Sequence, residues 1–195
     1  MSPFRQAILE VKNNAGQTAV VEANFPVGEN RLKICGAGAG AFIKAAAQMS
    51  YDDGDTIQAN YGMLTPDEDL RFSIAAYRGD RMIGQASVLM HDTGEGSWPD
   101  EHSIWFESVF VDAAFRGMGV GRSLIEACSA TMQAIVLRAQ EIDPRSWEWI
   151  DPHPCADHND QSRALVARFA KDFGAFNDAL CTKLVDALEE EGHQP

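Results

Sequence analysis

The sequence predicts a protein of α/β class. Three runs rich in β-branched and aromatic residues follow one another between residues 72 and 111, and a glycine-rich turn comes directly after the last of them. That turn opens into a stretch whose apolar residues recur every three or four positions, the signature of a long amphipathic helix.

Each element has its own local reason. Residues 6–12 and 18–25 read as extended stretches on either side of Asn13-Asn14-Ala15-Gly16, and so as a hairpin. Residues 31–35 are a short apolar run, and residues 37–49 are rich in Ala, with Phe42, Ile43 and Ala46 at helical spacing. A polar segment with Asp and Gly runs on to about Asp69. The pattern then sharpens. Residues 72–77 form a strand, Arg78-Gly79-Asp80-Arg81 a tight turn, and residues 82–90 a second strand. Residues 103–111 form a third.

Leu124, Cys128, Thr131 or Met132, and Ile135 predict a helix from about Gly119 to Gln140. Residues 147–150 read as a short strand stopped by Asp151-Pro152, and Leu165, Val166 and Phe169 mark a helix over 161–172 with Gly174 as its C-cap. Residues 180–188 fit either a last strand or a terminal helix.

Composition narrows the function classes. A chain of 195 residues, 45% hydrophobic and 23% charged, can bury one substantial core and is short for two full domains. The expected organisation is an extension over residues 1–69 packed on a core over 70–195. No apolar run approaches a membrane span, and Met1-Ser2-Pro3-Phe4-Arg5-Gln6 lacks the features of a secretion signal, so the expected location is cytoplasmic. Cys35, Cys128, Cys155 and Cys181 form no C-x-x-C pair and read as reduced packing residues. Sixteen Lys+Arg against 29 Asp+Glu give a formal charge of -13, which repels phosphate backbones and anionic membranes and attracts a cationic amine. The expected partners therefore exclude nucleic acid and membrane. The acidic end, residues 189–195, reads as a solvated tail.

The chemistry is concentrated where the strand ending at Val111 feeds Phe115-Arg116-Gly117-Met118-Gly119-Val120-Gly121 and the following helix. Glycines let the backbone approach a phosphate, successive N–H groups point at its oxygens, and the positive end of the helix dipole adds attraction. Arg116 and Arg122 bring formal positive charge to a chain that has little of it, and a pyrophosphate fits such a site.

Residues 106–121, Phe-Glu-Ser-Val-Phe-Val-Asp-Ala-Ala-Phe-Arg-Gly-Met-Gly-Val-Gly, resemble the acetyl-coenzyme A motif of the GNAT-type N-acetyltransferases. That family's signature, Arg/Gln-x-x-Gly-x-Gly/Ala, is met by Arg116, Gly119 and Gly121. The hairpin at residues 78–81 followed by Ile83-Gly84 is similar to the family's second and third strands. Asn159 leading to Phe173-Gly174 is similar to its later Asn, helix and Gly-aromatic element.

The resemblance implies a central mixed, mostly antiparallel sheet flanked by helices, splayed between the strand ending near Val111 and the one at residues 147–150. Acetyl-coenzyme A is the implied co-substrate. Main-chain groups of Val109, Phe110 and Val111 are then expected to pair with the pantetheine arm. N–H groups of Arg116, Gly117, Met118, Gly119, Val120, Gly121 and Arg122 are expected to hold the pyrophosphate, with Asn159 a further cofactor contact. The implied reaction is direct attack of a neutral primary amine, from a small molecule or a protein, on the thioester. Glu107 occupies the position where many family members carry a general base, and desolvation among Trp105, Phe106 and Phe110 would raise its proton affinity. The alternative for Glu107 is a solvent-facing strand residue. Family members commonly place a Tyr shortly before the Gly-aromatic element, whereas residues 168–174 here contain none. The thiolate's proton donor is thus open among Tyr77, Tyr61, Tyr51 and water, and a coenzyme A binding module without turnover is the first rival reading.

Other signals point elsewhere. Cys35-Gly36-Ala37-Gly38-Ala39-Gly40-Ala41 fits G-x-G-x-x-A, the dinucleotide fingerprint of a nicotinamide-dependent oxidoreductase, or a plain turn opening a helix. Asp151, His153, Cys155, Asp157 and His158 have metal-ligand chemistry but sit in a loop with prolines, so no metal is expected and a loop at the mouth of the site is the simpler reading. Of Trp98, Trp105, Trp147 and Trp149, at least two are expected to be packing only. The first 60 or so residues are candidates for the acceptor site, a partner surface or a homodimer contact.

Overall fold

A computed structural model describes residues 3–14, 20–21, 30–34, 71–92, 102–143, 150–154 and 160–192. In chain order these form α1 (Pro3–Asn14), β1 (Val20–Val21), β2 (Asn30–Ile34), β3 (Arg71–Arg78), β4 (Arg81–Asp92), β5 (His102–Val111), a 3-10 turn (Ala113–Phe115), α2 (Val120–Ile142), β6 (Ile150–Pro154) and α3 (Asp160–Gly192). The strands make one six-stranded sheet in sequential order. Every neighbouring pair is antiparallel except β5 and β6, which run parallel. The sheet is therefore mixed and mostly antiparallel.

One face of the sheet is apolar, and helices cover it. Phe72, Ile74 and Ala76 of β3, Ile83, Ala86 and Val88 of β4, and Phe106 of β5 share a buried cluster with Leu124, Ile125, Cys128, Met132 and Ile135 of α2. Burying each such Leu, Ile or Phe stabilises the fold by about 1.5–3 kcal/mol. The spacing of the α2 set is the helical one expected from the sequence, and α2 matches its expected bounds within two residues. A polar row runs along β3 and β4: Ser73, Gln85 and Ser87 are buried, with the Ser73 and Ser87 hydroxyls 2.7 Å apart.

Several expectations are corrected. Residues 6–12 lie in α1, not in a hairpin strand. Phe4, Ala7, Ile8 and Val11 recur at i, i+3, i+4 and i+7, and Ala7 and Ile8 are fully buried in the core that α2 shares. Glu10 accepts from Arg138 Nε of α2 at 2.7 Å, tying the two helices together. Val20 and Val21 pair instead with Lys33 and Leu32 of β2. The strand expected to stop at Asp151-Pro152 continues through both residues to Pro154. Among the described residues β6 is the edge strand beside β5, with hydrogen bonds to make on one side only, so its prolines forfeit little.

Gly174 caps nothing: α3 passes through it for 33 residues. The apolar stripe persists across that point, with the Phe169 and Phe173 rings stacked at 6.0 Å and the Phe173 and Phe176 rings tilted against each other at 5.8 Å. Residues 180–188 are part of the same helix. The Ala-rich segment 37–49, Gly36 to Ala41, Tyr51, Tyr61, Trp98, Asn159 and the first three residues of the strand expected over 147–150, Trp147 to Trp149, lie outside the described residues.

Candidate functional site

The site is built at the C-terminal end of β5. Pairing of β5 with β6 runs from His102↔Ile150 to Phe106↔Pro154, and β5 then continues to Val111 alongside β4. Its register on β4 jumps from Val88↔Phe106 to Ser87↔Ser108, which makes Glu107 the extra residue of a β-bulge. A bulge bends its strand and re-aims the residues beyond it, and this one falls where the described pairing with β6 ends. Val109 and Val111 pack partly buried against the core, which fixes the final stretch of β5.

Beyond Val111 the chain turns sharply. Asp112, fully buried, donates its backbone N–H to the Ile83 carbonyl at 2.9 Å and caps the 3-10 turn by accepting the Ala114 N–H on Oδ1 at 3.0 Å. Arg116 Nε donates to the Val111 carbonyl at 3.2 Å. Gly117 and Gly119 then adopt φ of 75° and 82°, a left-handed conformation that side chains disfavour. Met118 between them packs against the core and pins the turn.

Helix α2 starts at Val120, and its first described main-chain bond is Ser123 N–H to the Gly119 carbonyl at 3.0 Å. By helix geometry the N–H groups of Gly119, Val120, Gly121 and Arg122 have no intrahelical acceptor. They are presented at the positive end of a 23-residue helix. Such a helix start is suited to an anion, and its residues fit a diphosphate group.

The glycines serve different needs. Gly117 has open space around it and is required by its backbone angle. Gly121 is required by packing, because a Cβ there would meet Leu165 Cδ1 of α3 at 3.0 Å. Gly84 lets β4 approach the same turn of α2: a Cβ on it would lie 3.1 Å from both Val120 and Leu124.

Of the expected cations, Arg116 and Arg122 are both exposed. Arg122 Nε donates to Glu126 at 2.8 Å, and this bond raises its already high pKa further. Two arginines not assigned a role from sequence stand beside the turn. The Arg78 and Arg81 guanidiniums lie 4.7 and 5.4 Å from the Phe115 ring centroid, and Arg81 Nη2 donates to Asp112 Oδ2 at 2.7 Å. The sequence offers Arg81 only as a turn residue. Its meeting with Asp112 is tertiary and has no local signal.

Asp151 and His153 fall on β6, while Cys155, Asp157 and His158 lie outside the described residues. Among the described residues no group of His, Cys, Asp and Glu is arranged to hold a metal ion. Nor is any helix among them long and apolar enough to cross a membrane.

Comparison with known proteins places this geometry. None of the curated proteins matches the sequence. Among solved structures, an aminoglycoside acetyltransferase from an uncultured soil metagenomic sample is similar at 14% identity, covering 73% of this chain and 90% of its own, with a TM-score of 0.47. The GNAT domain of S. lividans PAT is similar at 16% identity over 77% of this chain and 86% of its own, TM-score 0.47. The ribosomal-protein-S18-alanine N-acetyltransferase from Escherichia coli is similar at 13% identity over 71% and 75%, TM-score 0.44. The decisive match is to the family model itself, which covers residues 43–170, well over half the chain, and includes β5, the glycine turn and all of α2. The chain belongs to the acetyltransferase (GNAT) family.

Proposed function

We propose that the protein transfers an acetyl group from acetyl-coenzyme A to a primary amine of a small molecule or a protein by direct attack. The observation that carries this reading is the conjunction of Gly117 and Gly119 at positive φ with the start of α2, directly after a strand that continues beyond its described pairing with β6. The N–H groups from Gly117 to Arg122 would hold the pyrophosphate, the Arg116 N–H expected to join them being donated instead to the Ala113 carbonyl at 3.4 Å. Main-chain groups of Val109, Phe110 and Val111 would accompany the pantetheine arm, and Asn159 would add a contact. The bound donor supplies an activated acyl thioester. Glu107, at the bulge, would take the amine's proton, directly or through water.

The nature of the acceptor draws support from the charge of -13, which favours a cationic amine. The aminoglycoside and ribosomal-protein acetyltransferases among the similar structures illustrate small-molecule and protein acceptors. Calorimetric titration with acetyl-coenzyme A tests the donor site: the wild type should bind, and a variant with Gly117 and Gly119 both changed to Val should not. A wild type that ignores acetyl-coenzyme A would sink the proposal.

A second reading, a coenzyme A binding module without turnover, is favoured by α3, which contains no tyrosine along its whole length. Thiol release in an amine screen separates the two. Binding with no release across cationic, neutral and peptide amines would favour the module.

A further inference from the structure

We propose that Arg81 is a positioning residue for the donor site: through Asp112 it sets the turn that receives the pyrophosphate of acetyl-coenzyme A. This rests on the donor reading above and deepens it.

The reach of Arg81 begins with an irregularity in the hairpin. The β3–β4 register passes from Ala76↔Gly84 to Tyr77↔Met82, leaving Ile83 as an extra residue. The Ile83 carbonyl is the group that accepts the Asp112 N–H. The bulge thus joins the turn end of the hairpin to the first residue after β5, and Arg81 Nη2 meets Asp112 Oδ2 at 2.7 Å.

Asp112 is committed on every side. Its N–H goes to Ile83, its carbonyl accepts from Phe115 N–H at 2.8 Å, Oδ1 accepts from Ala114 N–H, and Oδ2 accepts from Arg81. Its side chain is fully buried, while the Arg81 side chain is 55% exposed. Removing one hydrogen-bonded charge partner from a buried carboxylate is costly, and the carboxylate shifts to restore its pairing, taking the turn with it. Phe115, further into the turn, carries the Arg81 and Arg78 guanidiniums against its ring. Directly after it come Arg116 and the left-handed Gly117 and Gly119. Glycines at positive φ have many other conformations open to them, so the turn's geometry depends on how its first residues are held.

An ion pair that only stabilised the fold would affect all ligands alike. A positioning pair affects only ligands that reach the turn. The test is calorimetric titration of the wild type, Arg81→Gln and Arg81→Lys with acetyl-coenzyme A and with S-acetylpantetheine, which has the same thioester and arm but no phosphate. Thermal unfolding of each variant runs in parallel. Arg81→Gln should weaken acetyl-coenzyme A by about tenfold, the scale of one lost charge-assisted hydrogen bond at a half-exposed site, and leave S-acetylpantetheine within about twofold of wild type. Arg81→Lys should recover part of the loss. Equal losses for both donors, or no loss for acetyl-coenzyme A in either variant, would overturn the proposal. A wild type that binds S-acetylpantetheine and acetyl-coenzyme A equally, or neither, would instead remove the donor site on which it rests.

Discussion

Gly121 and Leu165 approach so closely that a Cβ on the glycine would lie 3.0 Å from Leu165 Cδ1, with Val111 Cγ2 at 3.6 Å on the other side. The last glycine of the turn is therefore where α2, α3 and the end of β5 converge. Gly121→Val should destabilise the protein by about 1–3 kcal/mol through overpacking. Made in a Leu165→Ala background, the same change should cost clearly less, since the atom it meets is gone. Denaturant unfolding of the four proteins measures the coupling. Strictly additive losses would mean that some other contact demands glycine there.

Gly117 presents the opposite case, with a φ of 75° and nothing within 4 Å of a Cβ. Only backbone strain opposes a side chain here, about 1–2 kcal/mol for an ordinary residue. Asn tolerates the left-handed region and Val does not. Gly117→Asn should keep most of the stability and most of the acetyl-coenzyme A affinity, whereas Gly117→Val should lose both. Unfolding and titration curves for the pair decide it. Indistinguishable variants would shift the explanation from backbone angle to side-chain bulk.

Cys128 sits fully buried on α2, and desolvation pushes its thiol pKa far above the usual range. The folded thiol holds its proton more tightly than the unfolded one, whose pKa is about 8.5. Its contribution to stability is thus fully present below about pH 8.5 and declines as pH rises beyond it, by up to about 1.4 kcal/mol per pH unit. Cys128→Ala should flatten that alkaline slope while lowering stability at pH 7 by a modest packing loss. Native Cys128 should also resist thiol reagents that label it at once in denaturant. Rapid labelling in the native state would contradict the packing role.

The features legible in the sequence are those that short-range pattern decides. β3, β4, β5, the glycine turn and α2 each follow from their own periodicity and turn residues, and the turn's motif identifies the family that the match over residues 43–170 confirms. Most of the misread elements are settled at a distance. Residues 6–12 carry helical spacing in Phe4, Ala7, Ile8 and Val11 but a turn-rich Asn13-Asn14-Ala15-Gly16 beside them, and the helix is selected where Ala7 and Ile8 enter the α2 core and Glu10 meets Arg138, a partner 128 positions away. Pro152 and Pro154 stay in a strand because β6 is an edge, a fact of sheet order. Gly174 reads locally as a cap, yet Phe173, Phe176 and Leu180 carry the apolar stripe past it. At the site, the same division separates Gly117 and Gly119, visible in the motif, from Arg81 and Asp112, which the β4–β5 pairing and the Ile83 bulge bring together.

Glu107 is the extra residue where β5 shifts register against β4, at the point where the described pairing with β6 has just ended. A bulge takes its residue out of the ladder's alternation, and such irregularities recur beside active sites. If Glu107 is the general base, Glu107→Gln removes the proton acceptor and keeps nearly the same volume. Turnover with a productive amine should fall by about 10²–10⁴-fold, the usual worth of a positioned acid or base. Acetyl-coenzyme A affinity should stay unchanged, because the proposed pyrophosphate cradle lies beyond Val111. The carboxylate's contribution to the acidic limb of the pH–rate profile should disappear, leaving the limb set by the amine's own ionisation. A variant whose profile keeps both its height and its shape would assign proton removal to solvent and return Glu107 to the role of a strand residue at a bend.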